Sequence, residues 1–321
     1  MGASQSWLPP IISVITGPTA AGKSALAMEL GRRFDLALIS ADSRQVYRGF
    51  DIGTAKPSAA ERAEIAHFGV DVQDPRDRYS AHAWAVDAVG WMQRAQTVGK
   101  APLIVGGTGF YVRALVRPLA PSPALDAGRR KHLADWLVQQ DIDTLRLWCR
   151  RLDPARAQLG RTQLERAIET ALLSGTRLGD AHAEHSENGS VANGGSAGAL
   201  AVRYLVVDPG PVLAERIRSR VHTMVDSGWI DEINRLSVQV PPEAPAWLAS
   251  GYATMRSHAE GEIEREAAIE RVVIESRQYA KRQRTWCRHQ LHEGPVTRIS
   301  PDEPRALDRA IAWLNGMEKG T

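Results

Sequence analysis

The chain has 321 residues, 43% of them apolar and 24% charged, a composition that builds one or two folded cores and excludes a disordered or collagen-like chain. Forty basic residues stand against 37 acidic ones, a formal net charge of +3. That balance excludes a uniformly polycationic surface, so any nucleic-acid face must be a local patch. Two cysteines, Cys149 and Cys287, exclude a disulfide framework and a cysteine-based zinc site. Histidine pairs His182/His185 and His289/His292 lack further ligand clusters and read as incidental. No stretch approaches the ~20 apolar residues of a membrane span, and the first ten residues hold no Lys or Arg, unlike a secretory or transit leader. The expectation is a cytoplasmic monomer with no membrane partner.

In chain order, Ile11–Thr16 is an apolar run stopped by Gly17 and Pro18, which predicts a strand, and residues 23–34 predict a helix. Leu36–Ser40 predicts a second strand leading into Ala41-Asp42-Ser43. Ala81–Thr97 has helical spacing, and residues 102–105 form a third apolar run ending in Gly106-Gly107. Strands alternating with helices predict an α/β fold, a P-loop-type parallel sheet with helices on both faces and a ligand crevice at the strands' carboxyl ends. Prolines 118, 121 and 123 break the alternation. Residues 129–174 then read as helices, with Leu133, Trp136, Leu137, Leu145, Trp148, Leu152, Leu164, Ile168 and Leu172 at helical spacing. Residues 175–199 hold almost no large apolar side chain and predict a mobile loop. Residues 204–207 predict another strand, Pro211 a helix start running to about residue 227, and the chain to about residue 289 reads as helical. The expected organisation is a catalytic core of residues 1–117 and 203–321, interrupted by an all-helical insertion of residues 118–202, with no internal repeat.

Gly17-Pro18-Thr19-Ala20-Ala21-Gly22-Lys23-Ser24 fits G-x-x-x-x-G-K-[ST] between a predicted strand and a predicted helix. Glycines let backbone amides converge on phosphate oxygens at a helix amino terminus, Lys23 adds a point charge, and the Ser24 hydroxyl suits Mg²⁺. Something bearing a di- or triphosphate is expected here. Nucleotide hydrolases of this type usually carry an Asp after an apolar strand to hold the metal. Here the third strand ends Gly106-Gly107-Thr108 instead, and the acid, Asp42, follows the second strand.

Taken together, five strings resemble the tRNA dimethylallyltransferase (tRNA isopentenyltransferase) family. They are the P-loop, Ile39-Ser40-Ala41-Asp42-Ser43-Arg44-Gln45-Val46-Tyr47-Arg48-Gly49, Asp51-Ile52-Gly53-Thr54-Ala55-Lys56-Pro57, Gly106-Gly107-Thr108-Gly109-Phe110-Tyr111, and Arg277-Gln278-Tyr279-Ala280-Lys281-Arg282-Gln283-Arg284-Thr285-Trp286. The resemblance spans nearly the whole chain in the family's order. It implies transfer of the dimethylallyl group of dimethylallyl diphosphate to N6 of the adenosine 3′ of the anticodon, with release of diphosphate and Mg²⁺ as cofactor. It also implies Asp42 as general base, Thr108 beside the reacting nitrogen, and Asp42, Ser43, Arg44 and Gln45 at the target base. Such a base must be extruded from its stack to react. Gly17, Thr19, Ala20, Ala21, Gly22, Lys23 and Ser24 would hold the diphosphate, and Arg216 and Arg220, which fall at i, i+4 on one predicted helix face, would meet the diphosphate or the tRNA backbone. Arg130 and Arg166 in the insertion match family positions at the tRNA, so that the insertion would grip the anticodon stem-loop. Arg277, Lys281, Arg284 and Arg288 form one basic helical stripe expected to meet RNA backbone, whereas Tyr279 and Trp286 lie on another face and are expected in the core. In the insertion, Thr162-Gln163 stand where the family commonly has Gln-Arg, and Ala253-Thr254 stand where it usually has Arg then Gln or Glu. Prenyl transfer to a free adenine nucleotide, and a non-catalytic P-loop module that grips RNA, remain the competing readings.

Overall fold

A computed structural model describes residues 11–117, 125–180 and 201–316. Its sheet has six strands, β1 (Ile11–Thr16), β2 (Leu36–Ser40), β3 (His67–Phe68), β4 (Ala101–Val105), β5 (Ala201–Val207) and β6 (Val296–Ile299), in the order β3-β2-β4-β1-β5-β6. Every pairing is parallel, and β1 lies between β4 and β5 with Ile15 opposite Val105 and Leu205. All five residues of β2 are buried, as expected of a strand covered on both faces.

The helices, numbered along the chain, are α1 (Lys23–Arg33), α2 (Ala59–Glu64), α3 (Ala81–Thr97), α4 (Gly109–Val116), α5 (Ala127–Val138), α6 (Ile142–Leu152), α7 (Arg161–Ser174), α8 (Leu213–Asp226), α9 (Trp229–Gln239), α10 (Tyr252–Ala259), α11 (Arg265–His289) and α12 (Ala306–Leu314). One sheet face packs Ile15, Leu38, Leu103 and Leu205 against Ala27, Met28 and Leu30 of α1 and Ala310 and Trp313 of α12. Over the other face runs α11, where Cys287 Sγ lies 3.9 Å from Thr16 Oγ1. None of the described helices is long and apolar enough to cross a membrane.

Because all strands run the same way, the loops after β1, β2, β4 and β5 open at one edge. Hydrogen bonds tie these loops together: Ala41 N–H donates to Val105 O at 2.8 Å and Thr108 N–H to Ala41 O at 3.1 Å. Gly17 turns off β1 at φ +141°, and a Cβ there would lie 2.1 Å from Val207 O, so only glycine brings the P-loop this close to β5.

The chain divides into two compact units, Met1–Arg117 with Ala199–Thr321, and Pro118–Gly198. In the second, α5, α6 and α7 enclose Leu137, Leu145, Cys149, Leu164, Ala167 and Ile168. Arg161 closes the carboxyl end of α5, its Nη2 donating to the carbonyls of Leu137, Val138 and Gln140 at 3.2, 2.9 and 2.7 Å. Trp136 and Trp148 do not join this core: they remain 40% and 38% exposed and pack on each other at 5.3 Å.

Three other expectations change. The segment predicted mobile from residue 175 begins docked, with Leu178 buried and Gly179 N–H donating to Asp153 Oδ2 at 2.9 Å; residues 181–199, with His182 and His185, lie outside the described residues. Pro211 sits in a 3₁₀ turn, Gly210–Val212, that precedes α8. The short edge strands β3 and β6 were not predicted.

Candidate active site

The loop edge encloses a crevice of about 1330 Å³ lined by residues 19–25, Asp42, Gly106, Gly107, Arg216 and Arg220. Gly22 caps α1 in a left-handed conformation and no side chain caps the helix, which leaves the first-turn amides of α1 for an anionic ligand. Lys23 Nζ donates back to Pro18 O at 2.6 Å. Burial lowers its ammonium to about 8, with Arg220 pushing the same way and Asp42 and Cys287 opposing. Arg216 and Arg220 both reach the crevice from α8, Arg216 while paired with Asp302. Arg220 forms no hydrogen bond or salt bridge among the described residues; burial lowers its guanidinium and Asp42 pulls it back up. Ser24 lines the same space and its hydroxyl has no hydrogen bond there.

Asp42 follows directly on β2. Its Oδ1 accepts the amides of Arg44 at 2.8 Å and Gln45 at 3.4 Å, while Oδ2 has no partner among the described residues. Thr108 Oγ1 accepts Ser43 N–H at 3.0 Å and lies 3.4 Å from Ser43 Oγ, so the loops after β2 and β4 are fastened beside the carboxylate. Two residues from α11 complete this arrangement. Gln283, 6% exposed, accepts Thr19 N–H at 2.7 Å and donates to Gly107 O at 3.0 Å, which uses one P-loop amide to lock the loop. Tyr279, expected in the core, instead lines the crevice wall. Burial raises its hydroxyl to about 12, aided by Asp42 and opposed by Thr108, so it stays protonated. Trp286, also expected in the core, is half-buried, with its indole against Gly109.

Behind Asp42 lies a smaller chamber of about 70 Å³ whose lining includes Arg44, Ile217, Val221, Trp229, Val272 and Ser276. The Gly53–Pro57 string runs past both spaces, Gly53 and Thr54 lining the chamber and Ala55, Lys56 and Pro57 the crevice. Glu232 of α9, 4% exposed, accepts the amides of Asp51 and Ile52 at 3.0 and 2.8 Å and the hydroxyl of Tyr252 at 2.6 Å, and Tyr252 in turn accepts Gly53 N–H at 3.1 Å. Lys56, its side chain 2% exposed, bridges Asp51 and Asp71. Glu232 and Tyr252 carry no local motif that would have marked them, and Gln283 lies in the closing string without a role that the string assigns.

Several predicted tRNA contacts are occupied internally. Arg284 makes a bidentate pair with Asp208, at 2.9 and 2.6 Å, and also donates to Gly210 O at 2.6 Å, so it anchors α11 to the end of β5. Gln45 accepts from Ser40 Oγ at 2.8 Å and donates to Thr54 O and Ala55 O, which leaves its amide little capacity for a base. Arg130, in the second unit, pairs with the 7%-exposed Glu169 at 3.0 Å. Arg166 is exposed on α7, and Arg277, Lys281 and Arg288 are exposed on α11. Arg44 holds Pro245 O at 3.4 Å and still reaches the chamber.

A parallel sheet with a phosphate loop after β1, cations along the crevice and a carboxylate at the end of β2, on the far side of β4, defines a P-loop α/β protein. Its carboxylate sits where an acceptor group could be deprotonated beside a bound phosphate. The chain belongs to the IPP transferase family, whose model matches residues 45–290, and an isopentenyl transferase model matches residues 10–68. A Deinococcus radiodurans protein named tRNA dimethylallyltransferase is 35% identical over 315 residues, covering 96% of this chain and 98% of that one. The crystal structure of a tRNA isopentenylpyrophosphate transferase from Bacillus halodurans superposes with a TM-score of 0.66 at 28% identity, covering 96% of this chain and 97% of that chain. A eukaryotic dimethylallyltransferase acting on tRNA, 24% identical with a TM-score of 0.74 over 97% of this chain and 81% of its own, shares the fold.

Proposed function

We propose that the chain is a tRNA-modifying prenyltransferase that moves the dimethylallyl group of dimethylallyl diphosphate to N6 of the adenosine 3′ of the anticodon. Family membership and the names of its relatives support prenyl transfer to tRNA. The observation that carries the donor and the chemistry is one shared wall: Asp42 borders both the anion crevice and the small chamber.

In this reading the first-turn amides of α1, with Lys23, Arg216 and Arg220, bind the diphosphate. The N6 lone pair forms a bond to the allylic carbon as the carbon–oxygen bond breaks, and that electron pair leaves on the diphosphate. The N6 proton passes to Asp42 Oδ2, the oxygen without a partner. A positioned base of this kind contributes about 10²–10⁴-fold, and fixed cations at the departing oxygen stabilise charge as it develops. Thr108 and Tyr279 flank the carboxylate and hold its loop.

The residues present fit Mg²⁺. No group of three or more metal-ligating acids, His or Cys exists among the described residues, and this ion takes one or two protein ligands plus phosphate and water. Ser24 would hold it, and when bound it would neutralise charge on the diphosphate. The exposed Arg277, Lys281 and Arg288 would meet the RNA backbone, and the insertion unit, with Arg166, would hold the anticodon stem-loop.

Incubation with labelled dimethylallyl diphosphate and either tRNA or AMP tests the reading. Label is expected in tRNA. Label in AMP alone would redirect it to a free nucleotide acceptor, and consumption of ATP with no label transferred would overturn it.

A further inference from the structure

Phe110 stands in the first turn of α4, two residues past Thr108, and is 49% exposed. The other phenylalanines are covered, Phe50 fully and Phe34 and Phe68 by half. Trp136 and Trp148 are the other exposed aromatic side chains among the described residues, and they pack on each other. Phe110 has no ring or guanidinium stacked on it there. One exposed apolar side chain needs no explanation by itself, but this one has a particular setting. Gly109 beside it faces the Trp286 indole, since a Cβ there would lie 2.2 Å from that ring, and Arg113, one turn further on, donates to Gln290 Oε1 at 3.3 Å. Thus α4 lies alongside the carboxyl-terminal half of α11. Phe110, Arg113 and, at the end of the helix, Arg117 recur at i, i+3 and i+7 on the outer face of α4. On α11, Arg282 is exposed and holds its guanidinium 5.6 Å over the Tyr279 ring. Arg113, Arg117 and Arg282 pair with no acid among the described residues, and neither α4 nor residues 277–290 of α11 contain one.

An aromatic ring set among unpaired cations suits unpaired nucleic acid, because every base offers a π-face and every linkage a phosphate. The place suits it too. Thr108 is fastened to Ser43 next to Asp42, and two residues of chain put the Phe110 Cα within about 7 Å of that of Thr108. A base extruded to reach Asp42 leaves the stack, so the base next to it loses a neighbour on one face. We propose that Phe110 is a stacking platform for an unpaired base adjoining the adenosine at Asp42, with Arg113, Arg117 and Arg282 meeting the phosphates around it. The inference rests on the prenyltransferase reading above and adds an RNA contact on a face of α11 other than the stripe of Arg277, Lys281 and Arg288.

The test adds the full-length protein to an anticodon stem-loop RNA that carries 2-aminopurine on one side or the other of the target adenosine, and reads the probe's fluorescence. The wild-type protein is expected to quench the probe at one of the two positions. Phe110→Ala is expected to lose that quenching and to bind the RNA about tenfold more weakly, the order of one base–aromatic stack. Phe110→Trp is expected to restore both, and Phe110→Leu, apolar but without a π-face, to restore neither. Because the ring is exposed, urea unfolding and the affinity for inorganic pyrophosphate are expected to stay at wild-type values in all three variants. Wild-type RNA affinity and quenching in Phe110→Ala or in Phe110→Leu would overturn the inference and leave the prenyltransferase reading standing. Loss of self-association in Phe110→Ala with RNA affinity kept would overturn it as well and give the ring to a second copy of the chain. No label passing from dimethylallyl diphosphate to tRNA in the wild type would sink the prenyltransferase reading itself.

Discussion

Asp42 is placed by two backbone amides. Because Oδ1 accepts from Arg44 and Gln45, the side chain is held in one rotamer and Oδ2 is left without a partner among the described residues. Asp42→Asn keeps the shape and removes the proton acceptor, so turnover is expected to fall by about 10²–10⁴-fold with tRNA affinity unchanged; single-turnover transfer and equilibrium binding measured on the same preparation separate the two. Lys23 predicts a pH effect. Its free-state value is lowered to about 8, so it is charged below that pH and loses its proton above it, whereas a bound diphosphate favours the charged form. The ratio of wild-type to Lys23→Ala pyrophosphate affinity, in which the ligand's own titration cancels, is therefore expected to decline as the pH rises through 8, by up to tenfold per unit. Calorimetric titration of both proteins across that range checks it.

The Gly53–Pro57 string is contiguous in the sequence, yet what holds it in place comes from α9, about 180 residues further on. Glu232 satisfies two loop amides and the Tyr252 hydroxyl within a buried pocket, so Glu232→Ala would strand three donors at about 1–3 kcal/mol each, not fully additive. A loss of about 2–5 kcal/mol in urea unfolding is expected, with a smaller loss for Glu232→Gln, which keeps an acceptor. Such partnerships mark the boundary of what can be read from sequence. The P-loop, the Asp42 turn and the four principal strands were legible because each is local: an apolar run, then a glycine or Asx turn. Gln283, Tyr279 and Glu232 were not, because their roles arise from contacts across the sheet edge. Two-residue β3 and four-residue β6 are too short to show a period. Trp136 and Trp148 fit helical spacing but sit at the edge of a three-helix core too small to cover them. Departures from the family find local uses here: Gln163 Oε1 caps α7 through Gly160 N–H at 3.2 Å, and Thr254 donates to Glu275 at 2.7 Å.

For the whole molecule, a net charge of +3 supplies little long-range attraction to RNA, so binding must come from specific contacts. The stripe on α11 drops from four cations to three once Arg284 is committed to Asp208. Each phosphate neutralised contributes a log–log salt slope of about 0.7–0.9, so three contacts on the stripe contribute about 2–3. Arg277→Ala is expected to lower the measured slope of tRNA affinity by about 1 and to leave turnover at saturating tRNA intact. Arg284→Ala should behave in the opposite way: the slope is expected to be retained because that guanidinium is engaged by Asp208, while stability falls as Asp208 loses both hydrogen bonds at the end of β5. Fluorescence anisotropy over a potassium chloride series, paired with urea unfolding of both variants, separates the two. An unchanged slope in Arg277→Ala would remove this face of α11 from the RNA interface, and a lowered slope in Arg284→Ala would mean that the Asp208 pair opens when tRNA binds.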